Sequence, residues 1–387
     1  MAGAAHEATD VATEVATDVA IIGGGIMGSA VALRLAQRGI GVTVIERGIP
    51  GAEASSAAAG ILGPQMEADG PGPLLELGLK SRALYPALAA ELRELTGIDV
   101  GYDRSGVLAV AFDEAGEAAL SARRAWQLAR GLRVEMLSGE AARLREPALG
   151  PAVRAALGFN DDAQVVAREL ARAFSQAAAV AGARFLTGRY VRRVLIADGA
   201  VTGVELDGDT LPAGVVVVAA GSWSGLVEGA GVPSAVVRPA RGQLVSIETR
   251  PPLFRHVVAA PGGYLVPRRD GTVLAGSTVE MAGFRKEVTV GGLAAILTLA
   301  RTLIPALADA PVTATWSNFR PYTEDHLPVL GATGVRGLIL ATGHFRNGIL
   351  LAPVTAQAVA ELIATGKAPF DLAPFSIDRF AMRTTWD

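Results

Sequence analysis

The strongest chemical signal lies near the start of the chain. Gly23-x-Gly25-x-x-Gly28 follows the β-branched run Asp18–Ile22, opens a helical stretch Ser29–Arg38, and precedes a second apolar run, Val42–Ile45, that ends on Glu46. At this spacing the first glycine permits a tight turn, the second lets backbone approach a pyrophosphate, and the third lets helix pack on strand. Ile26 and Met27 lie between the second and third glycines, at the approach to the helix N-terminus, whose unpaired N–H groups and partial positive charge favour phosphate. Glu46 would accept hydrogen bonds from ribose hydroxyls and disfavour a 2′-phosphate, which points to NAD or FAD rather than NADP; Arg47 follows it. The bland alternative is a Gly-rich turn and a solvated Glu. The strand before and the helix after argue against it.

Two further segments separate NAD from FAD. Glu53–Leu62 is a run of small side chains containing Ser55, Ser56, Ala59, Gly60 and Ile61. A long flat ring system needs such close backbone approach, although a flexible surface loop would have the same composition. Near the far end, Gly343-His344-Phe345-Arg346-Asn347-Gly348-Ile349 follows an apolar strand and starts a helix, a second positive helix terminus suited to an electron-rich ring edge. Val218-Ala-Ala220-Gly221-Ser-Trp223 is a third strand–small–Gly element. Each of these could also be simple packing of a helix on a strand.

Composition excludes several other chemistries. The chain has 387 residues, with 35 Lys+Arg against 38 Asp+Glu, a formal net charge of −3 that gives no whole-protein field for nucleic acid or an anionic membrane. There are no cysteines, which removes disulfides, thiolate nucleophiles, thiolate metal sites and a cysteine-tethered flavin. His6, His256, His326 and His344 are scattered, so no metal site is expected. Gly221-Ser-Trp-Ser-Gly225 does not have the G-x-S-x-G order of a hydrolase. Glycine makes up 46 residues, about 12% against an average near 7%, and much of the excess falls in the segments above. Mean hydropathy is positive, yet Gly348–Ala364 is interrupted by Pro353, Thr355, Gln357 and Glu361 and falls short of the ~18 continuous apolar residues of a spanning helix. Residues 1–17 read as a disordered tail without a signal-peptide pattern, making the cytoplasm the default location.

These residues must be positioned by an α/β chain, α+β overall. A βαβ unit opens it. Helices are expected at Leu74–Leu95, with a break near Pro86, at Glu114–Arg130 and at Val166–Ala181. Short strands follow at Arg184–Leu186, Val191–Ile196 and Val201–Leu206, then a fully apolar one at Val215–Val218. Val236–Ser277 is β-rich, Leu293–Leu303 helical, Thr313–Phe319 alternates as an antiparallel strand, and Gly337–Ala341 feeds a final helix, Asn347–Ala364, with a kink expected at Pro353. This pattern implies a Rossmann-like dinucleotide domain assembled from 18–80, 150–232 and 320–387. Residues 81–149 and 233–319 would form an antiparallel-sheet substrate domain.

Taken in order, the opening glycines, Ser55–Gly60, Val218–Trp223, Tyr264-Leu-Val-Pro-Arg268, Arg320-Pro-Tyr-Thr323 with Asp325 and Pro328, and Gly343–Pro353 resemble the D-amino-acid oxidase superfamily of flavoproteins, most closely its glycine oxidases of thiamine (thiazole) biosynthesis. The resemblance covers about Asp18 to Arg379. It implies non-covalent FAD, a small amino-acid substrate, O2 as acceptor, no nucleic-acid or membrane partner, and a homotetramer. It also implies that Arg320 binds the substrate carboxylate, helped by Tyr264 and Arg346, and that the Val191 backbone meets the adenine. Gly262 stands where such oxidases carry a His. Without these motif frames, Arg320 and Arg346 would be ordinary surface cations and Tyr264 a half-buried strand residue. A sarcosine or D-amino-acid oxidase or dehydrogenase is the alternative within the superfamily; a dinucleotide-binding module without oxidase chemistry is the alternative outside it.

Overall fold

The computed structural model describes residues 17–381. The expected tail at 1–16 lies outside them, while Thr17 is buried and begins the first strand rather than ending the tail. Two eight-stranded sheets organise the chain. In the first, five strands run parallel in the order Leu338–Thr342, Thr210–Val218, Thr17–Ile22, Val42–Glu46, Arg184–Thr187. Val329–Ala332 flanks the first of these antiparallel, and the Val191–Ala197 and Ala200–Leu206 hairpin joins Thr210–Val218. The central strands carry apolar runs, Val19–Ile22, Val215–Val218 and Leu338–Ala341, as burial on both faces requires; the edge strand Arg184–Thr187 is only partly buried. Chain order reverses at Thr17–Ile22, which leaves a crevice at the carboxyl ends of the strands.

The second sheet runs Val312–Tyr322, Arg238–Glu248, Thr272–Gly276, Gly263–Pro267, Val257–Ala260, Val107–Ala111, Ala155–Phe159, Glu135–Ser138. Its pairs are antiparallel except Val257–Ala260 with Val107–Ala111. Ala155–Phe159 therefore belongs to this sheet, although its place in the sequence groups it with the first. Its burial on both faces gave it no alternating signature that would reveal its partner.

Helices Ile26–Ala36, Pro73–Thr96, Ala167–Val180 and Gly348–Thr365 cover one face of the parallel sheet and share its core. The expected break near Pro86 does not occur: Pro73–Thr96 is one helix. Pro86 is exposed, so the carbonyl it leaves unpaired one turn earlier can face water. Pro353, by contrast, is buried inside Gly348–Thr365, where it removes the donor for Ile349 O. The Tyr85 hydroxyl fills that gap by donating to Ile349 O. One turn away on the same helix, Ser81 Oγ donates to Leu350 O at 2.5 Å. Tyr85→Phe should cost about 1–3 kcal/mol in urea unfolding, because a buried carbonyl loses its partner; a loss near zero would contradict this account. The same apolar helix, extended back to Phe345, is long enough by composition to cross a bilayer, but 61% of its apolar window is buried inside the protein, as in a core helix.

Candidate active site

One cleft runs along the carboxyl edge of the parallel sheet and reaches into the second sheet. Gly23, Gly25, Ile26, Met27, Glu46, Arg47, Ser55, Ala59, Gly60, Ile61, Val191, Ala220, Gly221 and Trp223 line it, with His344 to Ile349, Tyr264 and Arg320. The glycine spacing acts as expected. A Cβ at Gly28 would sit 1.9 Å from Gly23 O, so Gly28 serves helix–strand packing and does not line the cleft. Ser55 Oγ accepts from Ile26 N at 2.9 Å and so caps the helix start. Glu46 accepts from Gly24 N and Gly48 N, both at 2.8 Å, and its two oxygens still have lone pairs to offer. The Arg47 guanidinium stacks 3.8 Å above the Trp223 ring.

The small-residue loop is held in place rather than flexible. Trp316 Nε1 donates to Ala57 O at 3.0 Å. Arg268 donates to Ala59 O at 2.6 Å, Val165 O at 2.9 Å and Gln164 Oε1 at 2.8 Å. Gly60 has φ +79°, and a Cβ there would lie 2.0 Å from Val165 O. Ser56, expected in the lining, turns away and donates to Glu53 O. Gly343 likewise makes a left-handed turn, φ +71°, outside the lining; a Cβ would press on Thr323.

His344 is buried, with Nε2 3.1 Å from Thr355 Oγ1. Burial drives its pKa down to about 3. The unfolded chain therefore takes up a proton near pH 6.5 that the native state refuses, so stability falls as pH drops from 6.5 toward 3. His344→Gln should remove about 2 kcal/mol of the loss between pH 7 and pH 5 in urea unfolding. An unchanged pH slope would contradict this.

At the inner end of the cleft, Val312–Tyr322 carries Arg320. Its Nη1 donates to Thr278 O at 3.0 Å and its Nη2 to Ser277 Oγ at 2.5 Å. Burial lowers its pKa, which the nearby Tyr264 partly offsets, yet a guanidinium stays charged at physiological pH. Arg346 Nη2 donates to Glu67 Oε1 at 3.0 Å, and the Glu67 charge raises the Arg346 pKa. Gly262 occupies the turn between Val257–Ala260 and Gly263–Pro267 at φ +92°, a conformation that suits glycine better than a His. Among the described residues no group of three His, Cys, Asp or Glu could hold a metal ion.

Sequence reasoning missed Glu67, Gly242, Ser277 and Asn318, all of which line the cleft. Gly242 stands opposite Asn318 in the strand register, and no local signal distinguishes it from other strand glycines. Glu67 follows the small-residue loop closely enough that proximity alone was the available clue.

A crevice at a topological switch point, with a glycine turn, a carboxylate at the end of the second parallel strand and a glycine-lined slot leading to a half-buried cation, has the chemistry that FAD requires. The chain belongs to the FAD dependent oxidoreductase (DAO) family, whose profile matches residues 18–362. It is 40% identical to the glycine oxidase of Geobacillus kaustophilus over 93% of this chain and 96% of that one. The crystal structure of glycine oxidase from Geobacillus kaustophilus superposes with a TM-score of 0.90 at 39% identity, covering 94% of this chain and 98% of that one. A bifunctional protein ThiO/ThiG of Synechocystis is 38% identical over 94% of this chain, which spans 54% of that protein.

Proposed function

We propose that this protein is an FAD-dependent oxidase that deaminates glycine and other small amines or D-amino acids, giving the 2-oxo acid, ammonia and hydrogen peroxide. One observation carries the site assignment: Arg320 is a largely enclosed cation whose hydrogen bonds go to neutral groups, Thr278 O and Ser277 Oγ. A buried charge held this way calls for an anion, and a carboxylate matches the guanidinium fork. FAD, when bound in the cleft, would supply the hydride acceptor and the redox chemistry toward O2. The chain's own part is orientation. Arg320 and Tyr264 fix the carboxylate, and the rigid Ala57–Gly60 loop and Phe345–Ile349 turn shape the slot beside it. The remaining lining residues, Glu46 and Val191 among them, would hold the adenosine half.

The resemblance to glycine oxidases favours glycine over sarcosine. The match to half of ThiO/ThiG proteins supports a role in thiazole synthesis. We further propose a cytoplasmic homotetramer, on the family resemblance. A two-domain division is also proposed, with the dinucleotide domain at 18–80, 150–232 and 323–387; Ala155–Phe159 and the end of strand Val312–Tyr322, including Arg320, are reassigned to the substrate domain with the second sheet. A substrate panel of glycine, sarcosine and D-alanine with coupled peroxide detection tests the activity. Peroxide formed from glycine is expected; no peroxide with any of them would overturn the reading.

A further inference from the structure

The inner end of the cleft holds two cations and one anion, Arg320, Arg346 and Glu67. Together they carry one net positive charge, the complement of one carboxylate. Glu67 and Arg346 form an ion pair at 3.0 Å with side-chain exposures of 19% and 41%, so the pair is only partly screened by water. Glu67 ends the short Pro64–Glu67 helix, whose backbone is fixed from several sides. Met66 N donates to Asp162 Oδ2 at 3.1 Å, and the buried Asp162 is paired with Arg82 at 2.5 Å. Arg123 donates to Met66 O at 3.0 Å, and Glu67 N donates to Gly63 O at 2.9 Å. The carboxylate thus sits on an anchored backbone and cannot leave Arg346 by a cheap shift of the chain.

A ligand with a second acid group would find Arg346 already neutralised and would meet the Glu67 charge at close range. Like charges brought together in a partly dry site cost free energy, and specificity by repulsion is as effective as specificity by attraction. We propose that Glu67 is a specificity-determining residue: by holding Arg346 it restricts this pocket to amino acids with a single carboxylate. This rests on the reading of the pocket as an amino-acid site.

The test uses two unreactive acids, acetate and malonate, titrated into the FAD-loaded wild type, Glu67→Gln, and the Glu67→Gln/Arg346→Gln double variant. Binding is followed by perturbation of the flavin absorbance. The wild type should bind malonate no more tightly than acetate. Glu67→Gln should shift the ratio of the two affinities at least tenfold toward malonate, and the double variant should return it. An unchanged ratio in Glu67→Gln, or a shift that persists without Arg346, overturns the proposal. If that happens while acetate binds and glycine reduces the flavin, the specificity inference falls alone. If neither acid binds and glycine leaves the flavin oxidised, the amino-acid-site reading falls with it.

Discussion

Arg320→Ala is expected to lower kcat/KM for glycine by about 10²–10³-fold, chiefly through KM, since truncating one partner of a buried charge pair costs about 3–4 kcal/mol. The size of the effect follows from the surroundings. Arg320 is enclosed, held by Ser277 and Thr278, and is the one cation at this end of the cleft that no carboxylate among the described residues neutralises. Arg320→Lys keeps the charge but loses the planar fork, and should fall between wild type and Ala. Acetate affinity should weaken in parallel, because acetate presents the same carboxylate without the reacting carbon. Steady-state kinetics on glycine with an acetate titration check both statements; an unchanged KM in Arg320→Ala would remove the residue from carboxylate binding.

The second large effect is expected from a residue that has no side chain. Gly242 pairs with Asn318, two residues before Arg320 on the neighbouring strand, so Arg320 lies diagonally across from it on the same face. A Cβ at Gly242 would stand 2.1 Å from Arg320 Nη1 and 2.5 Å from its Cζ. Gly242→Ala must therefore displace the guanidinium by more than an ångström or break its bonds to Ser277 and Thr278. Misplacing a binding group by 1 Å can cost about 10²-fold in rate. We expect a loss of that order in kcat/KM for glycine, with acetate binding weakened similarly. Gly242 is in a regular strand where alanine is tolerated, so the variant should fold, bind FAD and remain yellow. Near-wild-type kinetics would mean that the guanidinium has another route into the cleft.

Much of the fold could be read from local pattern because the central strands of the parallel sheet carry apolar runs. Val19–Ile22, Val216–Val218 and Leu338–Thr342 are buried, and each is followed by a glycine turn beside the cleft. The features that depend on residues far apart in the chain could not be read this way. Pro353 marks a gap in its helix, but nothing in the sequence shows that Tyr85, more than 260 positions earlier, fills it. Pro86 looks like a break of the same kind and is not one, since the difference is solvent exposure rather than residue type. Ser55 and Ser56 are equivalent in the sequence, yet one caps the Ile26–Ala36 helix and the other turns to Glu53. At the inner cleft, the motif frames pointed to Arg320, Arg346 and Tyr264. Their partners Glu67, Ser277 and Gly242 were not legible, because they come from segments distant in sequence: Gly242 and Ser277 meet Arg320 through the second sheet, and Glu67 meets Arg346 from a separate short helix.

The central claim is that this cleft brings a carboxylate-anchored amino acid against FAD. Its most direct test is anaerobic mixing of the FAD-loaded protein with glycine while the oxidised-flavin absorbance is recorded. The account predicts that the yellow band bleaches on glycine and returns on admission of air with release of peroxide. Flavin that stays oxidised with glycine, sarcosine and small D-amino acids would contradict it.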